Sequence, residues 1–171
     1  MENKLLNIHN SINDKFDYHS RHQCTLKYSY AIPNKEAIVT ITKYSPIIEL
    51  GAGTGYWARL LKKNECSIVC YDNKSWGFRA KYFKVKKGSY NVLPRYKRHT
   101  LFLCWPPYNS SFAYDCLSRY IGQYFLYIGE ANGGCCGCDK FFELLNKWNL
   151  IKEISIPQWN GIHDRLFIYS R

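Results

Sequence analysis

The sequence has no long apolar run. No stretch approaches the roughly 20 residues a membrane-spanning helix needs, which excludes such a span from the reading. Its opening, "MENKLLNIHNSINDKF", lacks the continuous apolar core of a secretory signal. Internal repeats, low-complexity tracts and clear linkers are missing too, so nothing marks off a second unit. Acids are scarce, 13 Asp and Glu against 24 Lys and Arg, for a net charge of +11. Eight cysteines are present, but they are scattered and several, such as Cys70 and Cys104, sit inside apolar runs rather than in a disulfide framework. An intracellular chain, cytoplasmic or nuclear, with reduced thiols and no membrane attachment is the expectation.

What is there fits one folded domain. The chain has 171 residues, 46% hydrophobic, enough to close a core, and its 17% aromatics favour ring packing or stacking surfaces. The charge is not evenly spread. From Asn73 to Tyr114 there is no acid, while Lys74, Arg79, Lys81, Lys84, Lys86, Lys87, Arg95, Lys97 and Arg98 alternate with Trp76, Phe78, Tyr82, Phe83, Tyr90 and Tyr96. Cations interleaved with rings suit phosphate neutralisation and base stacking, so residues 74–98 are the expected contact for RNA or DNA. The competing explanation is a composition rich in Lys and Asn that implies no partner. A protein partner also stays open.

Periodicity orders the elements. Residues 1–30 are polar and irregular, an arm or short helices, ahead of a single domain over 31–171. "IPNKEAIVTITKY" predicts a helix, with Asn34 as N-cap, Glu36 in the first turn, and Ala37, Ile38 and Ile41 on one face. A short strand, Ile47 to Leu50, runs into a glycine turn and then a helix that buries Trp57, Leu60 and Leu61. Ser67–Asp72 is a second strand, a third is expected around Tyr82–Val85, and "TLFLC" is a fourth. "SSFAYDCLSRYI" predicts a helix with a Ser N-cap, "QYFLYIGE" a fifth strand, and "CDKFFELLNKWN" a helix with Phe141, Leu144, Leu145 and Trp148 as its stripe. "LIKEISIP" and "DRLFIYSR" close the chain as strands. Strand–helix alternation predicts a mostly parallel α/β sheet with right-handed crossovers. The last two strands are linked too tightly for a crossover and must pair antiparallel.

The turn "ELGAGTG", Glu49 to Gly55, lets the backbone approach a ligand closely, and the following helix N-terminus favours a negative group. Asp72 ends the next strand, 21 residues after Gly51, where a carboxylate can accept from both hydroxyls of a ribose. A nicotinamide dinucleotide competes for this geometry. Against it stands the Glu at the end of the first strand, directly before the turn.

Glu49-Leu50-Gly51 resembles the first motif of class I S-adenosylmethionine-dependent methyltransferases, and the closing strand pair resembles that family's C-terminal end, where a reversed seventh strand inserts beside the fifth. The resemblance covers nearly the whole chain. It is closer still to a small methyltransferase-like group sharing "YSYAIPNKEAI", "IIELGAGTGYWARLL", "CWPPY", "YIGE" with "GGC", and "PQWNGIHDRL". It implies a Rossmann-like class I methyltransferase fold, a mostly parallel seven-stranded sheet with a C-terminal antiparallel strand and helices on both faces. It implies S-adenosyl-L-methionine as cofactor, held by Glu49, Gly51, Ala52, Gly53, Gly55, Tyr56, Trp57, Asp72, Cys104, Trp105 and Pro106. The acceptor is expected to be nucleic acid, with a small molecule, a protein, or a catalytically inactive cofactor-binding module as alternatives.

Sites in parallel sheets form at the carboxyl ends of strands, which gathers Gly51–Gly55, Asp72, Gly88–Ser89, Cys104–Tyr108, Glu130 with Gly133–Cys135, and the 157–164 loop at one edge. Tyr108, Glu130 and His163 are the candidate catalytic residues, Glu130 and His163 as bases. Ser89 stands where many class members carry an acid facing adenine, and Trp159 is a candidate substrate cover. Cys135 and Cys138 form a C-x-x-C, but a structural zinc needs four ligands, and the nearest others, His19, His22 and Cys24, are distant in sequence, so no metal is expected. A string resembling "CWPPY", with an acid or amide before the prolines, marks methylases of base amino groups, where that residue accepts from the amino group. Trp105 is a donor only, so the stretch reads as the pocket wall at the fourth strand and not as an amino-methylating site.

Overall fold

In the computed structural model, which describes residues 2–12, 18–75 and 81–171, apolar residues of the strands alternate between two cores with the period of two that a pleated strand imposes. Ile47, Phe102, Leu126, Ile128, Leu166 and Ile168 point to one face, and Ile48, Leu101, Leu103, Phe125, Tyr127 and Phe167 to the other. Since both faces are apolar, both must be covered. Helices α3 (Lys35–Thr42) and α4 (Tyr56–Lys63) cover the first. Helices α5 (Phe112–Arg119) and α6 (Asp139–Leu145), with a 3-10 turn over Tyr90–Arg95, cover the second.

The strands are β1 (Ile47–Leu50), β2 (Ile68–Asp72), β3 (Val85–Lys87), β4 (Thr100–Cys104), β5 (Tyr124–Gly129), β6 (Asn149–Ser155) and β7 (Arg165–Ser170). They form one seven-stranded sheet in the order β3-β2-β1-β4-β5-β7-β6. The first five are parallel; β7 runs antiparallel to both β5 and β6, as the short final link requires. The order reverses at β1 and β4, which opens a crevice at their carboxyl ends.

Local expectations are corrected at three points. The third strand starts at Val85 rather than Tyr82, because the Tyr82 ring is drawn away to stack on Tyr28 and meet Tyr56 edge-on. Ser111 stands before α5 but its side chain caps nothing; Ser110 Oγ instead accepts from the Phe112 N–H at 3.3 Å. Helix α6 stops at Leu145, so Trp148 packs from beyond it, stacked on Tyr120, and Phe142 rather than Leu144 is buried.

The first thirty residues include two helices, α1 (Lys4–Ser11) and α2 (Tyr18–Lys27). Leu5, Cys24, Tyr28, Ala31 and Ile32 are buried in the first core. The Tyr56 hydroxyl ties α1 down, accepting from the Leu5 N–H at 3.1 Å and donating to Asn3 Oδ1 at 3.0 Å. Asn34 caps α3, its Oδ1 accepting from the Ala37 N–H at 2.8 Å while its Nδ2 donates to the Ser155 carbonyl at 3.1 Å. Asn34→Ala is expected to cost about 1 kcal/mol in urea unfolding, and Asn34→Asp to recover most of it. All eight cysteines are free thiols. Among the described residues no helix is long and apolar enough to cross a membrane.

Candidate active site

The crevice at the carboxyl ends of β1, β2 and β4 holds a cavity of about 680 Å³, the size range of small-molecule sites. Its floor is the glycine turn. Gly51 and Gly55 adopt φ of +74° and +76°, the left-handed region that glycine enters without strain. A side chain at either position would crowd its neighbours. A Cβ on Gly51 would lie 3.2 Å from the Phe112 ring, and one on Gly55 would lie 2.9 Å from Phe83 Cβ and 3.0 Å from Phe83 N. The turn is bonded to β2, with the Gly51 and Ala52 N–H groups both donating to the Tyr71 carbonyl.

Two acids face the cavity. Asp72 accepts from the Gly53 N–H at 3.0 Å through Oδ2 and from the Lys74 N–H at 2.5 Å through Oδ1, so it both shapes the turn and leaves lone pairs for a ligand. Glu49 is 2% exposed, and burial pushes its carboxyl up to about 8, with the Cys70 thiol that donates to Oε2 at 3.4 Å opposing and the Asp72 charge adding to the rise. A desolvated acid at a cavity wall is arranged to receive a cation, which would restore its ionised form.

Of the residues expected to hold a cofactor, Glu49, Gly51, Ala52, Gly53, Tyr56, Trp57, Asp72, Cys104 and Trp105 line this cavity, and Gly55 and Pro106 support it from outside the lining. Tyr108 also lines it and is 70% exposed. Glu130 and His163 do not. Glu130 accepts from the Cys135 N–H at 2.7 Å and the His163 N–H at 2.9 Å, so it joins two loops. Burial alone would raise its carboxyl, but those N–H donors outweigh it and hold the group below its ordinary value. The His163 ring reaches outward, 3.5 Å from Glu130 Oε1 and 78% exposed. The Glu130 contacts make it a loop brace rather than a base facing the cavity. Ser89 lies outside the lining, and Trp159 is buried, donating to the Tyr30 carbonyl at 3.1 Å beside the His9 ring. Among the described residues no three His, Cys, Asp or Glu side chains come together as a metal site.

The indole N–H of Trp105 donates to Asp164 Oδ1 at 2.7 Å, and Asp164 is wholly buried. Burial pushes that carboxyl up to about 7, opposed by the Trp105 bond and the Arg21 charge. The sequence put Asp164 at the sheet edge with the rest of the 157–164 loop and gave no sign of this pairing, which joins positions 59 residues apart. Sequence reasoning also missed that Thr25, Tyr28, Ser29 and Tyr30 form a wall of the cavity. The signal for the latter was the string "YSY" at the end of a stretch read as an arm or short helices.

In the basic segment, Lys81, Lys84, Lys86, Lys87, Arg95, Lys97 and Arg98 are exposed. Its described rings are half-buried and each has a contact within the chain. Tyr82 and Phe83 pack against α4 and the glycine turn, Tyr90 lies under Arg119, and Tyr96 shares a hydroxyl bond with Tyr71. Trp76, Phe78 and Arg79 lie outside the described residues. The Thr54 carbonyl accepts from the Lys81 and Tyr82 N–H groups, so the segment starts at the edge of the cavity.

No protein-family model matches the chain, and no curated protein does. Solved structures do. The methyltransferase domain of bacterial CtHen1-CN superposes with a TM-score of 0.55 at 14% identity, over 80% of this chain and 96% of that one. N-methyltransferase NodS from Bradyrhizobium japonicum gives 0.53 at 9% identity, over 91% and 99%. The glycopeptide N-methyltransferase MtfA, complexed with (S)-adenosyl-L-homocysteine, gives 0.51 at 11% identity, over 79% and 88%. In strand order, reversed seventh strand and helical layers, this chain has the Rossmann-like fold of these methyltransferases.

Proposed function

We infer that the chain is an S-adenosyl-L-methionine-dependent methyltransferase acting on nucleic acid. The observation that carries the cofactor is the pair of acids around one glycine turn. Asp72, already braced on the Gly53 N–H, is placed to accept from ribose hydroxyls, and desolvated Glu49 suits the cofactor's ammonium group. The residues fit that group in charge as well, since the lining includes Glu49 and Asp72 but no Lys, Arg or His among the described residues. When bound there the cofactor supplies an electrophilic methyl carbon on a sulfonium. The chain's own part is to bring an acceptor lone pair to about 3–3.5 Å in line with the breaking bond and to exclude water. Aromatic faces such as Tyr108 favour both a planar acceptor and a positive sulfonium.

Calorimetry separates this reading from the dinucleotide one. S-adenosylhomocysteine is expected to bind and NAD not to. Tritiated methyl from the cofactor is then expected in RNA or DNA when each is offered beside protein and a metabolite extract. Tight cofactor binding with no label in any pool would overturn the enzyme reading and leave a binding module.

The exposed cations of the basic segment support the choice of acceptor. If six of them engage single-stranded phosphates, log K should fall against log salt with a slope of about −4. Lys86→Glu, Lys87→Glu and Arg95→Glu together should flatten that slope by about half while leaving S-adenosylhomocysteine affinity unchanged. A slope near zero in the natural chain would remove nucleic acid as the partner.

A further inference from the structure

Ser29, between α2 and α3, is held on both sides by side chains from distant parts of the chain. The Thr54 hydroxyl of the glycine turn donates to the Tyr28 carbonyl, and the Trp159 indole N–H donates to the Tyr30 carbonyl at 3.1 Å. The Tyr28 ring is fixed as well, edge-on to Tyr56 at 5.2 Å and stacked on Tyr82 at 5.8 Å. Ser29 itself is half-buried in the cavity wall. Its backbone is thus tied to the glycine turn and to the last loop before any ligand enters, which spares the ordering cost that a free segment would meet on binding.

A serine hydroxyl has one proton to donate and two lone pairs. In Ser29 one lone pair is occupied, since Trp57 Nε1 of α4 donates to Oγ at 3.1 Å. That bond turns the proton toward Cys104. Burial pushes the Cys104 thiol up, the Glu49 and Asp164 charges add to the rise, and a hydrogen bond from Ser29 opposes it. Sulfur is a weak acceptor, so the hydroxyl gains by exchanging it for a charged oxygen. Ser29, Trp57 and Cys104 line the cavity together with Glu49, whose charge reaches Cys104. Glu49 is the group assigned to the cofactor's ammonium. An α-amino acid carries its ammonium and its carboxylate on one carbon, so the carboxylate comes to rest beside whatever holds the ammonium. Of the three neighbours, Trp57 has spent its N–H on Ser29 and Cys104 is a weak donor, which leaves the Ser29 hydroxyl.

We propose that the Ser29 hydroxyl donates to the carboxylate of the cofactor's amino-acid group, and that this contact makes the cavity select the amino-acid form of the cofactor over its decarboxylated, aminopropyl form. This deepens the methyltransferase reading and rests on it. The segment that closes the N-terminal part of the chain then completes the cofactor site, with Asp72 on the ribose, Glu49 on the ammonium and Ser29 on the carboxylate.

The test is calorimetric and uses two ligands, S-adenosylhomocysteine and decarboxylated S-adenosylhomocysteine, which keeps the adenosine, the sulfur and the ammonium. The weaker ligand is read by displacement of the stronger. The natural chain is expected to bind S-adenosylhomocysteine more tightly by about tenfold, since a hydrogen bond to a charged group is worth about one such factor. Ser29→Ala should weaken S-adenosylhomocysteine about tenfold and leave the decarboxylated ligand within about twofold, which also shows that the variant folds. Ser29→Cys, close in shape but a weak donor, should show the same one-sided loss. Equal affinity of the natural chain for the two ligands overturns the proposal while the methyltransferase reading stands. So does a loss that both variants share equally between the two ligands, or no loss in either variant. Failure of the natural chain to bind S-adenosylhomocysteine overturns both.

Discussion

Asp72→Ala is expected to weaken S-adenosylhomocysteine binding about a hundredfold in calorimetry. The carboxylate ends β2 beside the glycine turn and holds the Gly53 N–H at 3.0 Å. In the proposed complex it accepts from two ribose hydroxyls, and charge-assisted bonds of that kind contribute about 1.5–3 kcal/mol each. Losing them, and with them the brace on the turn, corresponds to about two powers of ten in affinity. Asp72→Asn keeps one acceptor oxygen and should fall between, near tenfold. Asp72 is half-buried at a strand end, so thermal unfolding should shift by only a few degrees. A loss under threefold for Asp72→Ala would mean that the ribose is held elsewhere.

The second large effect is on pH dependence and comes from Glu49. Its carboxyl is raised from an ordinary 4.5 to about 8, chiefly by burial. A raised acid favours the folded state fully below its unfolded value, and that contribution is lost as pH climbs toward the folded one. Stability should therefore fall between about pH 4.5 and pH 8, by an amount on the order of 4–5 kcal/mol at most. Glu49→Gln removes this dependence, so the variant should match the natural chain near pH 4.5 and exceed it at pH 8 in urea unfolding. Asp164, raised to about 7, acts in the same direction in both proteins and cancels in the difference. Binding should show the opposite trend. An ammonium beside Glu49 favours the ionised form, so S-adenosylhomocysteine affinity should rise with pH up to about 8 and then level off, with a proton released on binding. The same stability slope in natural chain and variant would mean that Glu49 is not the buried acid responsible.

The two effects separate the two acids by role. Asp72 sits where solvent and a ligand can both reach it, and its loss is read in affinity. Glu49 is enclosed, and its loss is read in stability against pH. Both act on one turn, in which the Tyr71 carbonyl receives two N–H groups and Phe83 and Phe112 fill the space a glycine leaves.

Much of this was legible along the chain. Short apolar runs such as "TLFLC" and "QYFLYIGE", glycines between a strand and a helix, and a closing link too short for a crossover determine a mostly parallel sheet with a reversed last strand, because each is a local or near-local constraint on the backbone. The glycine turn and Asp72 follow from the same rule, since strands in parallel register bring their carboxyl ends to one edge. Tertiary structure alone decided the rest. The rings of Tyr82, Phe83 and Tyr90, which look like a stacking surface beside lysines, are half-buried and engage α4, the glycine turn and Arg119. Glu130 became a brace because two loops converge on it from positions 5 and 33 residues away. Trp105 found an acceptor 59 residues downstream, and the end of a stretch read as an arm or short helices became a wall of the cavity. Such pairings depend on which surfaces meet once the sheet has formed, and sequence spacing carries no record of that.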